Sequence, residues 1–358
     1  MFKETYKVIG VMSGTSLDGI DLAHLSFSIK DNVWSFEILE CETIAYDLLW
    51  LNKLKSAVDF STSELAILNI EYTKLLGGII SNFIAKYKIK NLDAVCSHGH
   101  TILHQPQNGF TLQIGNLPEI SKYCNQTVVC DFRVQDVELG GQGAPLVPIG
   151  DRILFSEFDY CLNLGGFSNI SFENNGTRIA FDISPVNTVL NFYANKLGLG
   201  YDDKGQISRT GKLNTRLLTS LNDLSFYKKS FPKSLGFEFV KETILPLIEE
   251  YSIPVEDKLF TFIEHIAKQI MVALDHFETR NGKLLITGGG AYNDYLMKRI
   301  KENLPSIEII IPDNKTLEFK EALIFGLLGV LKMRNENNVL KSVTGAERDH
   351  CSGKIFKI

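Results

Sequence analysis

The sequence lacks the features of a nucleic-acid-binding or membrane-spanning chain. Its 358 residues carry 37 Lys and Arg against 42 Asp and Glu, a formal net charge of −5, and form no basic patch. Basic patches are the electrostatic signature of proteins that bind nucleic acid or anionic membranes, so neither partner is expected. No apolar run approaches the roughly 20 residues that cross a bilayer, and no apolar leader precedes the first predicted strand. We therefore expect a cytoplasmic location.

Cysteine is sparse and has no motif spacing. The six cysteines form no Cys-x-x-Cys pair, the spacing typical of zinc sites and redox-active sites. We therefore expect reduced thiols that pack as small core residues. Disulfides, structural zinc and a catalytic cysteine are not expected.

The hydrophobic content, 44%, is enough for two ordinary cores at this length. Strand-like runs followed by helical segments occur twice along the chain. We therefore predict an α/β fold of two similar mixed-sheet lobes, residues 1–145 and 146–358, with a cleft between them and the last helix packing back on the first lobe. The predicted strands are 6–12, 20–29, 33–43, 93–97, 160–164, 169–173, 177–182, 283–287 and 307–311, and the predicted helices are 63–87, 259–277, 291–302 and 322–333.

The most informative segment is residues 8–21, VIGVMSGTSLDGID, where a strand enters a glycine turn rich in hydroxyls and carboxylates. Gly14 and Gly19 let backbone N–H groups approach an anion, and Asp18 and Asp21 can hold Mg²⁺. The alternation that follows predicts a turn between antiparallel strands, and a plain hairpin turn is the alternative interpretation. The residues assigned to phosphate binding are Ser13, Gly14, Thr15, Ser16, Leu17, Asp18, Gly19, Ile20 and Asp21.

Two later glycine turns also follow predicted strands. Asn163 leads into Gly165 and Gly166, and Gly288, Gly289 and Gly290 lie between a strand and a helix. The first turn could contact a polyphosphate, and the second a ribose, base or α-phosphate. A single glycine turn more often reflects close helix–strand packing, but three in one chain favour nucleotide binding.

Asp182 is the candidate catalytic carboxylate. It is predicted to end a strand just before a proline turn, from where it would point into a cleft. The alternative role is capping of the helix that begins near Val186.

Histidines and an arginine mark a possible second ligand region. His98, His100 and His104 invite a metal interpretation, but no carboxylate or thiol nearby completes a ligand set, so contacts with substrate or with the protein itself are favoured. Arg133 and Gln142 could bind the carboxylate and the hydroxyl or amide groups of an acidic sugar. An ordinary ion pair is the alternative for Arg133.

The ordered motifs resemble the anhydro-N-acetylmuramic acid kinases, bacterial cell-wall recycling enzymes of the actin/hexokinase/Hsp70-like superfamily. The motifs that carry the resemblance are residues 11–21, Ser97-His-Gly99, Leu112-Gln-Ile-Gly115, Asp131-Phe-Arg133, residues 140–148, Leu162-Asn-Leu-Gly-Gly166, Phe181-Asp182, Pro232-Lys-Ser234, Gly288-Gly-Gly-Ala291 and Ser342-Val-Thr-Gly-Ala346. The resemblance implies a two-lobed actin/hexokinase-like ATPase fold, ATP and Mg²⁺ as cosubstrates, an anhydro amino sugar as acceptor, and a homodimer. The site it implies for the sugar comprises Ser97, His98, Thr101, Arg133, Gln142 and Asn187.

The chain departs from the family pattern at several positions. Where the family commonly has Asp-Thr-Gly-Pro-Gly-Asn, this chain has Asp182-Ile-Ser-Pro-Val-Asn187. If a family glycine there uses positive φ, Ser184 or Val186 would be strained. His100 stands where glutamine is common, and Ile149-Gly-Asp151 where an aromatic residue and histidine are common. These changes bear on substrate contacts rather than on the kinase interpretation.

The resemblance also suggests a mechanism. A 1,6-anhydro bridge oxygen carries no proton, so Asp182 is expected to deprotonate a water that attacks C1 while O6 takes the phosphoryl group. Glu321 is a further candidate for the Mg²⁺ or phosphate region, or alternatively an acid near a helix N-terminus. A sugar kinase acting on a free hexose hydroxyl and a non-catalytic sugar sensor remain as alternative functions.

Overall fold

The computed structural model describes residues 2–14, 17–277 and 281–358. The chain divides into two compact units: unit 1 comprises the residues up to Leu154 together with Phe319–Ile358, and unit 2 comprises Phe155–Glu318. The predicted lobe boundary after residue 145 stays a prediction.

Both units combine a mixed β-sheet with helices, which confirms the predicted α/β class. The strands are β1 (Thr5–Ser13), β2 (Ile20–Lys30), β3 (Val33–Ile44), β4 (Ala94–Gln105), β5 (Phe110–Ile114), β6 (Val128–Cys130), β7 (Tyr160–Leu164), β8 (Phe167–Asn174), β9 (Thr177–Pro185), β10 (Gly282–Thr287), β11 (Ile307–Ile310) and β12 (Lys354–Phe356). The α-helices are α1 (Leu48–Ser56), α2 (Thr62–Lys86), α3 (Ile120–Cys124), α4 (Val134–Glu138), α5 (Pro148–Leu154), α6 (Asn187–Lys196), α7 (Thr215–Asn222), α8 (Phe237–Phe239), α9 (Leu245–Glu249), α10 (Val255–His276), α11 (Asp294–Asn303), α12 (Asn314–Met333) and α13 (Lys341–Thr344). None of the helices in the described ranges is long and apolar enough to cross a membrane.

The sheet of unit 1 places β1 at its centre. Its strand order is β12-β6-β4-β1-β2-β3, and β5 pairs with β4. β1 is antiparallel to β2 and parallel to β4. The segment between β1 and β2 therefore joins antiparallel strands, as the alternating sequence predicts. Ile9 and Val11 of β1 pack with Tyr72 and Leu76 of α2 in the core, because one face of the sheet and one face of the helix are both apolar.

Two adjacent glycines in α2 offer a test of this packing. A Cβ on Gly77 would lie 2.4 Å from Cβ of Tyr123, whereas a Cβ on Gly78 would have no neighbour within 4 Å. We expect Gly77→Ala to lower the free energy of unfolding by about 1 to 3 kcal/mol through overpacking. Gly78→Ala should raise it by about 0.5 to 1 kcal/mol, because alanine favours helix more than glycine does. Urea denaturation would measure both, and equal effects of the two substitutions would contradict the described packing of α2.

The sheet of unit 2 has the order β11-β10-β7-β8-β9. β10 is parallel to both β7 and β11, whereas β7, β8 and β9 are successively antiparallel. Alternate residues of these strands, such as Leu162, Ile170 and Phe181, pack with Phe262 and Ile266 of α10 in one core. The intervening residues project from the opposite face of the sheet.

Two predicted boundaries differ by eight residues from the structure, more than any other. α12 begins at Asn314 rather than at residue 322. Oδ1 of Asp313 accepts a hydrogen bond from the amide of Thr316 at 3.1 Å and so caps the first turn. The prediction missed this start because most residues of the first turns are polar. β4 continues to Gln105 instead of ending at residue 97, since its second half pairs with β5. His98, His100 and His104 therefore lie within a strand rather than beyond its end.

Candidate functional site

The turn between β1 and β2 holds the predicted phosphate-binding residues. Thr15 and Ser16 lie outside the described residues. The amide of Leu17 donates to the carbonyl of Gly14 at 3.2 Å. Gly19 has φ +154°, and a Cβ there would lie 2.7 Å from the carbonyl oxygen of Ile44, so packing against β3 requires this glycine. Ile20 is buried and pairs with Ser13 across the strands; Asp18, by contrast, is exposed.

The hydroxyl of Ser13 belongs to a buried network that the sequence did not reveal. Its Oγ lies 2.6 Å from Oη of Tyr46 and 2.8 Å from Nδ1 of His100, and Tyr46 in turn lies 2.6 Å from Oη of Tyr72. Desolvation lowers the pKa of His100 to about 4, so its ring is neutral at physiological pH. The network fixes the end of β1 where the turn begins. The role of Ser13 in phosphate binding stays a prediction.

Two of the predicted metal-binding carboxylates, Asp21 and Glu321, influence each other electrostatically. Asp21 accepts a hydrogen bond from Oγ1 of Thr43 at 2.6 Å. Desolvation raises the pKa of Glu321, the charge of Arg133 opposes this, and the negative charge of Asp21 adds to it. Glu321 lies well inside α12, so the alternative of an acid at the helix N-terminus is wrong.

This carboxylate pair fits Mg²⁺. In the described ranges, no group of three or more His, Cys, Asp or Glu side chains forms a complete metal cage. Mg²⁺ usually keeps several water ligands and binds one or two carboxylates together with substrate phosphates. Asp21 and Glu321 are therefore suitable Mg²⁺ ligands.

Arg133 is held by two hydrogen bonds within unit 1. Its Nε donates to Nε2 of His98 at 2.8 Å, and its Nη1 donates to the carbonyl of Gly143 at 2.6 Å. His98 Nδ1 lies 2.9 Å from the carbonyl of Gly99, which defines a neutral ring that donates from Nδ1 and accepts at Nε2. Desolvation and the charge of Arg133 hold the pKa of His98 well below its usual value.

The guanidinium of Arg133 keeps its charge and one nitrogen for a ligand. Desolvation lowers its pKa to about 10, which leaves it protonated at neutral pH. Over the described part of the chain, Nη2 has no hydrogen-bond acceptor, in contrast to Nε and Nη1. Among the described residues, its hydrogen-bond partners are an imidazole and a carbonyl rather than a carboxylate, so the structure does not show the ion pair of the alternative interpretation. This geometry is suited to binding a carboxylate.

A buried carboxylate, Asp136, shapes the neighbouring glycine turn. It accepts hydrogen bonds from the amide of Gly143 and from Oγ1 of Thr344, both at 2.7 Å. The amide of Gln142 donates to the carbonyl of Thr344 at 2.8 Å, and its side chain is exposed. Sequence reasoning missed Asp136, because an acid in a short helix has no distinctive pattern and Thr344 is more than 200 residues away.

Two other predicted sugar-binding side chains already have partners within the protein. Ser97 is buried, and its Oγ accepts from the amide of Gly99 at 3.1 Å. Oγ1 of Thr101 accepts from Nε2 of Gln113 at 3.3 Å. Both side chains support β4 and the segment after it. Their predicted contacts with sugar are not tested by these bonds.

Unit 2 brings its two predicted glycine turns together at the ends of β7 and β10. Gly288 has φ +85°, and a Cβ there would lie 2.5 Å from Oδ1 of Asn163. A Cβ on Gly290 would lie 2.7 Å from Cβ of Leu164. At Gly289 the nearest atom would be Nδ2 of Asn187, at 3.6 Å. Protein packing thus requires glycine at 288 and 290, while Gly289 leaves space beside the turn.

Asn187 lies with these turns in unit 2, whereas the other predicted sugar-binding residues lie in unit 1. Its Nδ2 donates to the carbonyl of Leu164 at 3.3 Å, and its amide donates to the carbonyl of Gly165 at 3.2 Å. The carbonyl of Gly166 accepts from the amide of Val186 at 2.8 Å. Asn187 therefore supports the Gly165–Gly166 turn, and its contact with sugar stays a prediction.

The left-handed backbone considered for the two lost family glycines is absent. Neither Ser184 nor Val186 has a positive φ, and Val186 has φ −130° and ψ −97°. Ser184 instead forms a buried pair with Ser168, with 3.0 Å between their Oγ atoms. The segment after Asp182 accommodates serine and valine without a left-handed residue.

Asp182 lies within β9, where it contacts the segment that contains Lys233 and Leu235. Its amide donates to the carbonyl of Lys233 at 2.9 Å, and its Oδ2 accepts from the amide of Leu235 at 2.8 Å. Burial raises its pKa to about 6, although the bond from Leu235 opposes the shift. α6 begins at Asn187 without a side-chain cap, so the capping alternative for Asp182 is wrong. A carboxylate with a pKa near neutrality is suited to general-base catalysis.

Comparison with known proteins assigns the chain to a family. The profile of the family "Anhydro-N-acetylmuramic acid kinase" matches residues 6–358. The anhydro-N-acetylmuramic acid kinase of Pseudomonas fluorescens is 34% identical, over 97% of this chain and 98% of that protein. The enzyme of the same name from Sulfurimonas denitrificans is 32% identical, over 98% and 99%. The chain belongs to the anhydro-N-acetylmuramic acid kinase family.

A solved structure is also similar at lower identity. Component A of the (R)-2-hydroxyglutaryl-CoA dehydratase of Acidaminococcus fermentans is 14% identical, with a TM-score of 0.46 over 92% of this chain and 99% of that one.

Proposed function

We propose that this protein is an ATP-dependent kinase that opens 1,6-anhydro-N-acetylmuramic acid with water and phosphorylates O6. The products are N-acetylmuramic acid 6-phosphate and ADP, and the reaction would serve the recycling of peptidoglycan. The observation that supports the chemistry most directly is the half-buried Asp182, because its pKa of about 6 lets it accept a proton near neutral pH. The name of the family supports the substrate.

The proposed reaction couples two bond changes. A water oxygen bonds to C1 as the bond from C1 to O6 breaks, and Asp182 accepts the proton of the water. O6 bonds to the γ-phosphorus as the bond to the ADP oxygen breaks. Because O6 bonds to phosphorus as it leaves C1, it is not released as a free alkoxide, which would be a high-energy leaving group.

Arg133 is the proposed anchor of the sugar carboxylate, through Nη2. The bonds to His98 and Gly143 fix the plane of the guanidinium, so less conformational entropy is lost when the ligand binds. The exposed side chain of Gln142, on a turn fixed by Asp136, would contact a hydroxyl or amide of the sugar. Ser97, His98 and Thr101 support this region.

The turn that contains Gly14 and Asp18, together with the glycine turns of unit 2, would bind ATP through backbone N–H groups. Asp21 and Glu321 would hold Mg²⁺, with Asp18 as a further candidate ligand. Mg²⁺, when bound, neutralises the charge that spreads over the phosphoryl oxygens. The proposed oligomer is a homodimer, which light scattering would test, and the cytoplasmic location stays a prediction.

The proposed function is tested by product analysis in ¹⁸O-labelled water. The protein is incubated with ATP, Mg²⁺ and either the anhydro sugar or N-acetylmuramic acid, and the products are identified by mass spectrometry. We expect phosphorylation of the anhydro sugar, with the label at C1 and the phosphate on O6. Phosphorylation of the free sugar alone would favour the alternative of a hydroxyl kinase, and binding without product would favour a sugar sensor.

A further inference from the structure

A row of polar residues crosses the sheet of unit 2. Thr287 of β10 lies opposite Asn163 of β7, Asn163 lies opposite Asn169 of β8, and Asn169 lies opposite Asp182 of β9. Directly opposed residues in a sheet project from the same face, with Cβ atoms about 4.5 to 5.5 Å apart in antiparallel pairs. The adjacent row, which contains Leu162 and its partners, faces the core. The polar row therefore lies on the face away from that core.

Asn169 is the member of this row with no role so far. Its side chain is exposed, whereas Ser168 and Ile170 on either side of it are buried. Within the described ranges, the side-chain amide of Asn169 forms no hydrogen bond. Asn169 opposite Asp182 is the last pair in the continuous register of β8 with β9, and an irregularity follows directly, between Asn169 and Ser168. Such bulges often reorient side chains beside active sites.

We propose that Asn169 is a catalytic residue of this reaction, and that its Oδ1 accepts a hydrogen bond from the water that Asp182 deprotonates. The inference rests on the proposed function, since only an attack by water requires this role. A water molecule has two protons. When one is directed to Asp182 and the other to a neutral acceptor, a lone pair of the water is left to face C1.

An amide is well suited to this second contact. It accepts a hydrogen bond without competing for the proton, which goes to Asp182 as the water oxygen bonds to C1. Asn169 is the cross-strand neighbour of Asp182, so the two acceptors have the spacing that one bridging water can span. Asn163 lies one strand further from Asp182, beside the glycine turns, and is therefore too far along the row to share a water with Asp182.

The first test compares Asn169→Ala with Asn174→Ala. Asn174 lies at the other end of the same strand, opposite Thr177, and provides a matched control. We expect Asn169→Ala to lower kcat for the anhydro sugar by about 10-fold to 100-fold, with the KM values for ATP and sugar changed less than 3-fold, because an orienting contact is lost. Asn174→Ala should match the wild type in kcat and KM. A wild-type kcat for Asn169→Ala, or a loss confined to KM, would overturn the proposal.

The second test uses Asn169→Asp, which keeps an acceptor oxygen but adds a charge opposite Asp182. A second carboxylate raises the pKa of the first, so the acid limb of the kcat/KM profile should move to higher pH by about one unit. The other charged groups nearby are Lys233, whose ammonium lies over the rings of Phe226 and Phe231, and the ion pair of Arg178 with Glu173 at the far end of the hairpin. None of these is altered. An unshifted acid limb would overturn the proposal, even if Asn169→Ala proved unstable.

The two proposals fail in different ways. If the wild type phosphorylates only the free sugar, no water attacks, and both the proposed function and the role of Asn169 are wrong. If the wild type converts the anhydro sugar and Asn169→Ala does so equally well, only the role of Asn169 is wrong.

Discussion

Asp182→Asn should lower the turnover of the anhydro sugar by about 10² to 10⁴, the usual effect of removing a general base. Asparagine keeps the size of the side chain and an oxygen that can accept from the amide of Leu235. The affinities for ATP and sugar should therefore stay within a few fold of the wild type. Steady-state kinetics together with calorimetric binding would measure both. Retention of most of the turnover would show that another group accepts the proton.

The pH dependence provides an independent measurement of the same group. Asp182 acts as a base only when ionised, so kcat/KM of the wild type should fall as the pH drops below about 6. In the variant this acid limb should disappear from whatever residual activity is left. A wild-type profile that is flat down to pH 5 would contradict the assignment.

The same substitution has a predicted effect on stability. Burial raises the pKa of Asp182 from 3.8 to about 6, so the folded state binds the proton more tightly than the unfolded state does. The stability associated with this group is therefore full below pH 4 and is lost as the pH rises through 6. Asp182→Asn should raise the free energy of unfolding at pH 7 by about 1 to 3 kcal/mol and have little effect at pH 3.5. Urea denaturation at both pH values would measure the difference.

The second large effect is expected at Gly289, the one glycine of its turn that protein packing leaves free. A Cβ there makes only an ordinary contact of 3.6 Å with Asn187, so Gly289→Ala should change the free energy of unfolding by less than about 0.5 kcal/mol. If the nucleotide lies against this turn, the added methyl group clashes with the nucleotide. The KM for ATP should then rise by at least about tenfold, which corresponds to about 1.4 kcal/mol.

Gly288→Ala is the matched comparison in the same turn. It places a Cβ at a φ of +85° and within 2.8 Å of the carbonyl carbon of Leu164. We expect a loss of about 1 to 3 kcal/mol in the free energy of unfolding. The two variants thus separate a glycine that the fold needs from one that a ligand needs. An unchanged KM for ATP in Gly289→Ala would place the nucleotide elsewhere.

The sequence by itself determined nine of the twelve strands, the long helices and the glycine turns, although it missed β5, β6 and β12 and the true bounds of β4 and α12. β1 to β3 and β7 to β9 follow from alternation with a period of two residues, which is a local property. α2 follows from an apolar stripe that begins after a capping box formed by Ser61 and Glu64, so its predicted bounds were correct to within one residue. Asp182 was found because a carboxylate before a proline turn is a local pattern too.

Tertiary structure decided which side chains are free and which are occupied. Ser13 was predicted to bind phosphate, and the structure shows that its hydroxyl is also hydrogen-bonded to Tyr46 and His100. Glu321 looked like an acid at the start of a helix, because most residues in the turns before it are polar.

The pairing register and the electrostatics likewise depended on the folded chain. The row that sets Asn169 opposite Asp182 follows from the way β10, β7, β8 and β9 pair in the sheet. The pKa of Asp182 follows from burial and from the amide of Leu235, which is 53 positions away along the chain. Periodicity and turn chemistry act over a few residues and can be deduced from sequence, whereas hydrogen-bond partners, burial and register arise from contacts between distant segments and require the fold.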